Sequence, residues 1–467
     1  MANKQIDPIR DRFDFPSNIY SRKKDYVLSE DKSQKRMRVI ADLHIHSRYS
    51  RATSAKMNVK EIARFARIKG LNLVGTGDFS HPRWLKELTQ DLAEVESTNL
   101  YRSSSEPESL MRFMVTNEVS TIFAFEGKSK KVHHVILSPS LETAVQINDR
   151  LAKYGDLSID GRPMLNMTAP ELVEEVIQVS PENEVFPAHA WTPWFSVFGA
   201  FSGFDRMEDC YQDMTGHIHA LETGLSSDPP MNWRLSALDR YTLVSNSDSH
   251  SSWPWRIGRE ANVFELEKLS YREVIDAIRQ KDPNRFRFTI ETDPAYGKYH
   301  WTGHRNCNVS LSPEEAIKLR NICSVCGRQL TKGVEQRVEE LADRPVGFKP
   351  ANAIGFMHLL PLSEIIATVT GASNPSTQSV WSNYNRLIER FGDEYAVLID
   401  ASLEEMTKIV DARIAEAVVK VREEKTRVIP GYDGVYGQPI LFEDEQRTEK
   451  QEKPKTAKKQ RNLLDFM

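Results

Sequence analysis

Arg38-Val39-Ile40-Ala41-Asp42-Leu43-His44-Ile45-His46-Ser47 reads as an apolar strand ending in two histidines spaced i and i+2. On a strand that spacing sets both imidazoles on one face, about 7 Å apart along the backbone, so they converge on one point. Neutral imidazole is the commonest nitrogen ligand of catalytic metals. The pair is therefore half of a metal site that still needs carboxylates. A lone His-x-His is more often a satisfied polar pair, so the remaining residues decide.

A chain of 467 residues is too long for one core and implies two or three domains. Its 40% hydrophobic and 27% charged residues describe a soluble globular protein. No apolar run reaches the roughly 18 residues of a membrane span, and Met1 to Arg12 is polar and mixed in charge. A cytoplasmic, nucleoid-associated protein with no membrane partner is expected. A net charge of −4 excludes nucleic-acid binding by bulk electrostatics, so any such contact is local. Four cysteines are too few for a disulfide framework. Cys307, Cys323 and Cys326 cluster within about twenty residues, which points to metal in a reducing compartment, and Cys210 reads as a packed thiol.

Beyond an N-terminal arm (1–37), apolar runs at 38–46, 71–77, 112–118, 132–138, 184–189, 218–222, 241–246, 260–266 and 285–291 read as strands alternating with amphipathic helices. In the clearest helix Val59, Ile62, Ala63 and Ala66 share one face. Asn58 and Glu61 can form its capping box, and Gly70 stops it. This alternation argues a parallel sheet, open or closed. Ionisable residues fall at one strand end after another: His44 and His46, then Asp78 and His81, Glu118, His133 and His134, His189, and Asp248 with His250. Ligands at the carboxyl ends of successive strands converge at one mouth in a barrel and spread along an edge in an open sheet. The α/β reading is therefore a barrel over 38–299.

Trp191 and Trp194 follow His189, and Trp253 and Trp255 follow His250, in proline-bearing loops. Core packing explains some of them. At a catalytic mouth they are also suited to stacking a base, with Arg256 and Arg259 holding phosphates. His304-x-x-Cys307 and Cys323-x-x-Cys326 have the spacing of a closed structural zinc module over 300–344, with His300 competing for the histidine position. A helical pattern fills 345–440. The tail 441–467 is charged, reads as disordered, and ends in Gln460-x-x-Leu463-x-x-Phe466.

The ordered set Asp42-Leu43-His44-Ile45-His46, Gly77-Asp78-Phe79-Ser80-His81, Asn117-Glu118, His133-His134, His189 and Ser247-Asp248-Ser249-His250 resembles the PHP (polymerase and histidinol phosphatase) metallo-phosphoesterases over roughly 38–293. The resemblance implies a PHP-type distorted (β/α)7 barrel. His44, His46, Glu118 and Asp248 would hold one metal, and Glu118, His134 and His189 a second. His81 and His250 would lie at a third position, where Asp78 replaces or orients His81. Many members carry His or Asp where this chain has Ala52, which puts the third metal in doubt. His217 and His219 repeat the His-x-His spacing without a counterpart in the family. Two divalent ions (Mg²⁺, Mn²⁺ or Zn²⁺) can acidify a water, bind a scissile phosphate and stabilise the leaving oxygen.

Together with the zinc module (His304, Cys307, Cys323, Cys326), Glu339-Glu340-Leu341-Ala342-Asp343-Arg344-Pro345 and Val428-Ile429-Pro430-Gly431-Tyr432-Asp433-Gly434-Val435-Tyr436-Gly437, nearly the whole chain is similar to endonuclease Q. That resemblance implies a DNA repair endonuclease nicking 5′ of deaminated bases (uracil, hypoxanthine, xanthine) and abasic sites. Double- or single-stranded DNA is the implied substrate, and 345–440 the implied DNA-binding domain. The terminal Gln460, Leu463 and Phe466, behind the basic run Lys453 to Arg461, look like a peptide for the DNA sliding clamp. The rival readings are a PHP phosphatase acting on a small phosphomonoester and a non-catalytic DNA-binding scaffold.

Overall fold

In the computed structural model, which describes residues 36–442, the apolar runs become strands with shifted ends: the 38–46 run stops at Asp42, and the 112–118 run continues to Phe125 because it pairs in a hairpin, so Glu118 lies within its strand rather than at its end. Seven organise the site: β1 (Met37–Asp42), β2 (Leu73–Gly75), β3 (Arg112–Phe125), β4 (Lys128–Ser138), β5 (Glu184–Pro187), β6 (Ala220–Glu222) and β7 (Thr242–Val244). Three more extend the sheet outward from β1: β8 (Ala261–Leu266), β9 (Phe286–Glu291) and β10 (Gly355–His358).

The ladder is mixed rather than all parallel. β1–β2, β2–β3, β6–β7 and β9–β10 are parallel, whereas β1–β8, β8–β9, β3–β4 and β4–β5 are antiparallel. The reason at β3–β4 is local. Only Glu126 and Gly127 join the two strands, both at positive φ (48° and 74°). A two-residue loop of this kind makes a hairpin and leaves no room for the crossover a parallel pair needs.

Strands β1 to β7 follow one another around a ring. β5 reaches β6 through the Ala190 N–H, which donates to the Glu222 carbonyl (2.9 Å). β7 returns to β1 just past the strand ends, by an Ile45–Ser249 parallel bridge and the His46 N–H to the Ser249 carbonyl (2.9 Å). Side chains complete that seam: Leu43 N–H donates to Asn246 Oδ1 (2.8 Å), and Ser247 N–H to Asp42 Oδ1 (3.1 Å). Residues from all seven strands, among them Ala41, Leu73, Met114, Leu137, Phe186, Ala220 and Val244, share one buried cluster.

The opposite strand faces, with Ile40, Val74, Phe113 and Val185, belong to a second cluster under the helices Val59–Lys69, Leu141–Leu151 and Ala169–Val179. The first of these carries the Asn58 cap (Oδ1 accepting from Glu61 N–H, 3.1 Å) and ends at left-handed Gly70. The helices Leu362–Thr370, Gln378–Phe391 and Ala412–Arg422 pack into the same cluster through Leu362, Trp381 and Val418. The helical region thus also supplies an edge strand, β10, to the main sheet. Among the described residues no helix is long and apolar enough to cross a membrane. The N-terminal arm up to residue 35 and the clamp-like Gln460, Leu463 and Phe466 lie outside the described residues.

Candidate metal centre

β1 ends at Asp42, so His44 and His46 stand just beyond it, held by the Ile45–Ser249 bridge with ring centroids 5.4 Å apart. Close approach of the next strand end is possible because residue 77 is glycine: a Cβ there, at φ +63°, would drive into the Ile45 carbonyl oxygen. Asp78, His189 and Asp248 also take positive φ (50°, 28° and 47°). Such backbone strain in non-glycine residues concentrates at functional sites.

Glu118 is the hinge of the arrangement. Its Oε2 lies 3.1 Å from His46 Nε2 and 3.5 Å from His44 Nε2, while Asp248 Oδ1 lies 2.9 Å from His46 Nε2. Its Oε1 lies 2.9 Å from His133 Nδ1 and 3.2 Å from His189 Nε2. Two groups of converging ligand atoms result, His44/His46/Glu118/Asp248 and Glu118/His133/His189, each within 4.8 Å of one another and sharing one carboxylate.

Burial opposes charge throughout this centre, and the partners override it. His44 and His46 are raised well above the ordinary imidazole range, against burial, by Glu222 and Glu118 for the first and by Asp78, Asp248 and Glu118 for the second. Glu118 and Asp248 are correspondingly held far below the usual carboxylate range. His44 Nε2 is buried without a hydrogen-bond partner. A buried orphan nitrogen facing two carboxylates in a set of imidazole and carboxylate donors suits a divalent cation.

Adjacent His134 is turned away, contrary to the expectation that it rather than His133 is the ligand. In the β3–β4 ladder Ser120 faces His133 and Val119 faces His134, so strand alternation puts His133 on Glu118's side. His134 instead hydrogen-bonds Thr121 Oγ1 (2.9 Å) and the Tyr211 hydroxyl (2.8 Å), and burial lowers it to about 3.

Asp78 lies outside both ligand groups. One oxygen accepts from His46 Nδ1 (2.9 Å), and the other takes Ser47 N–H, Ser47 Oγ and Ser50 Oγ (2.6–2.8 Å). It orients His46. His81 also stands outside both groups, donating from Nε2 to the Ser158 carbonyl (3.1 Å) and stacking on Tyr49 at 4.4 Å. His250 packs against His46 at 4.4 Å, with Nδ1 2.9 Å from the Asp248 carbonyl. Ala52 is exposed at φ 59° and offers no ligand. His219 is spent on Glu184 (3.0 Å), and Cys210 is buried.

Beyond His133, which the sequence offered beside His134, two residues that the sequence did not single out complete the centre. Glu222 accepts from His44 Nδ1 (3.0–3.1 Å), from His189 N–H (2.7 Å) and from Asn246 Nδ2 (2.8 Å). It thereby fixes the imidazole whose other nitrogen is the orphan. Arg162 Nη1 donates to Glu118 Oε2 (3.1 Å). Glu222 ends β6 as Glu118 and His189 mark their own strands, and that position was its one visible signal.

The aromatic rim divides. Trp191 is 1% exposed, bonded through Nε1 to Asn232 Oδ1 (2.8 Å) and packed on Phe198, which makes it core rather than a stacking surface. Trp253 and Trp255 stack on each other (4.9 Å) and each lies 5.7 Å from Trp381. They join the rim to the helical region. Trp194 alone of the four is exposed, at 44%. Arg259 donates to the Ser247 carbonyl (3.1 and 3.3 Å) and braces the Asp248 turn, while Arg256 faces Glu364 and Tyr296.

Apart from this centre, His304, Cys307, Cys323 and Cys326 bring four ligand atoms within 4.8 Å of one another, and His300 pairs instead with Glu335 (3.3 Å). Burial would raise the Cys323 thiol, but the Cys326 and Val325 amides and His304 hold it at about 6, as a thiolate ligand requires.

A family model described as the MJ0043 C-terminal domain matches residues 361–425. The lesion-specific endonuclease PfuEndoQ from Pyrococcus furiosus is similar at a TM-score of 0.78 and 33% identity, over 92% of this chain and 98% of that one. An endonuclease Q complex with a 27-mer duplex substrate, an abasic lesion at its active site, is similar at 0.77 and 34%, over 87% and 98%. The uncharacterised protein MJ0043 of Methanocaldococcus jannaschii is 33% identical over 259 residues, 53% of this chain, which spans only 31% of that relative's length.

Proposed function

The chain belongs to the endonuclease Q family, and from that membership we propose that it is a DNA repair endonuclease nicking the phosphodiester 5′ of deaminated bases (uracil, hypoxanthine, xanthine) and abasic sites. The observation that carries the reading is Glu118, one carboxylate shared by two ligand groups, the form of a two-cation phosphoesterase centre. We read the ring β1–β7 as the distorted (β/α)7 barrel, His304, Cys307, Cys323 and Cys326 as a structural zinc site, and 345–440 as a DNA-binding region. Residues 441–467 are read as a tail whose Gln460, Leu463 and Phe466 engage a sliding clamp. Deleting 460–467 is expected to abolish stimulation by the clamp while bare nicking persists.

His44, His46, Glu118 and Asp248 would hold one divalent cation, and Glu118, His133 and His189 a second. When bound, such ions supply Lewis acidity to a water and positive charge to the scissile phosphate and its leaving oxygen. The chain's own residues prepare the site. Glu222 and Asp78 each accept a hydrogen bond from an Nδ1, of His44 and His46, and so present the Nε2 atoms to the centre. Thr192 Oγ1 lies 3.0 Å from His189 Nδ1 and does the same there. Arg162 is tethered beside the cluster by its loop: Gly161 N–H donates to the Tyr49 carbonyl (3.1 Å) and Ser120 N–H to the Pro163 carbonyl (2.9 Å). Its guanidinium, already on Glu118, is placed to hold a phosphate oxygen.

The test is incubation with Mg²⁺, Mn²⁺ or Zn²⁺ and labelled duplexes carrying one uracil, hypoxanthine, xanthine or abasic site, beside unmodified duplex and p-nitrophenyl phosphate. Nicking confined to lesion duplexes is expected. Chromogenic turnover alone would make the protein a phosphatase, and no turnover a scaffold.

A further inference from the structure

The loop after β5 carries a second aromatic surface, built from residues that the metal centre does not use. Trp194 and Phe201 stack on each other, centroids 5.0 Å apart and planes 17° from parallel, yet are 44% and 52% exposed. Large apolar rings normally stack in order to be buried; this pair stacks and stays wet. Tyr299 closes one side edge-on at 5.4 Å.

The pair is held rigidly. Phe201 N–H donates to the Pro193 carbonyl (3.0 Å), and Phe195 N–H to Ser202 Oγ (2.9 Å). Phe195 sits at φ 58°, a conformation that is strained for a bulky residue. That inversion sends consecutive rings opposite ways: Phe195 inward onto His133 (4.9 Å), Trp194 outward. Thr192, two residues before Trp194, contacts His189 Nδ1 and donates to the Trp194 carbonyl (3.0 Å). The exposed rings are therefore continuous with the ligand cluster. Two ammonium groups lie on neighbouring rings: Lys131 Nζ is 5.3 Å from the Phe195 centroid, and Lys298 Nζ 5.5 Å from that of Tyr299.

Flat exposed rings and a fixed backbone, with ammonium groups on the neighbouring rings and the ligand cluster alongside, are the elements of a nucleobase-stacking platform. We propose that the Trp194–Phe201 pair stacks one unpaired nucleobase of the strand lying across the metal centre, next to the scissile phosphate. The inference rests on the proposed function and adds the contact that holds the strand open.

The test is binding by the full chain, without added divalent ion so that no turnover intrudes, to a labelled duplex with one abasic site, read by fluorescence anisotropy. Trp194→Ala or Phe201→Ala is expected to raise Kd about 5- to 150-fold, the range for loss of one stacked base, with Trp194→Phe retaining most of the affinity and melting temperatures unchanged. Neighbouring nucleotides are then replaced, one at a time, by abasic residues. At one position the Trp194→Ala loss should vanish, because the base that stacked is gone. Unchanged Kd, or an equal loss on every duplex, overturns the platform. Lesion-dependent nicking, assayed separately with metal, keeps the two ideas apart: nicking without a Trp194 effect on Kd sinks the platform alone, and a Trp194 effect without nicking sinks the proposed reaction alone.

Discussion

His133 and His134 are adjacent, buried and chemically identical, yet only one faces Glu118. His133→Ala is expected to abolish nicking and lower the bound cation count in metal analysis. His134→Gln, which keeps a polar partner for Tyr211, should retain cation binding; equal loss in both variants would contradict the ladder register. Glu222 acts one bond further out. Glu222→Gln keeps the side-chain volume but not the charge that fixes His44, and a 10–100-fold weaker cation affinity by calorimetry is expected, the usual cost of losing such an orienting partner. His44, His46, His189 and Asp248 were legible in the sequence because each follows an apolar strand. The choice between neighbouring histidines was not. A one-residue change of parity reverses a strand's faces, and only the pairing partner sets that parity.

The helix Val59–Lys69 and the C-terminal helices meet through one buried ion pair. Lys69 Nζ lies 2.7 Å from Glu394 Oε1 and donates to the Pro254 carbonyl (3.0 Å); Glu394 also accepts from Tyr384 OH (2.7 Å) and Leu362 N–H (3.0 Å). Removing one partner strands a buried charge. Lys69→Met or Glu394→Gln alone should therefore cost about 3–5 kcal/mol in denaturant unfolding, and the double variant less than the sum. Next to it, burial raises Asp393 to about 7, against an ordinary 3.8. A carboxyl raised on folding adds stability while protonated and loses that contribution as pH climbs through about 7. Asp393→Asn keeps the acceptor for Ala396 N–H (2.8 Å) and cannot ionise. Melting curves should show wild type losing ground to the variant from about pH 4 to about pH 7 and holding level above that; a constant difference would refute the assignment. The ion pair is not visible in a sequence, because 325 residues separate Lys69 from Glu394.

Across the molecule, the cysteine module is stitched to the chain's last described segment. Asp433 accepts from Arg305 N–H (2.8 Å) and Thr331 Oγ1 (2.7 Å), and Trp301 N–H donates to the Gly431 carbonyl (2.9 Å). The Pro430-Gly431-Tyr432-Asp433 motif is thus a clasp on residues 301–331. With zinc held there as proposed, Cys323→Ser should lower the zinc content found by metal analysis and expose this clasp to limited proteolysis while the β1–β7 strands stay protected; unchanged zinc content would dismiss the module.

Residue order and type determined the class of the fold, the approximate places of its strands and most of the candidate ligands, because period-2 apolar runs and ionisable residues near their ends are local patterns. Tertiary structure alone decided that β3 and β4 form a hairpin, that His133 displaces His134, that Glu222 and Arg162 join the centre, and that Trp191 is core while Trp194 is open. Each of these depends on which distant segment lies alongside. A side chain's role there is set by its neighbour in space, which spacing along the chain does not encode.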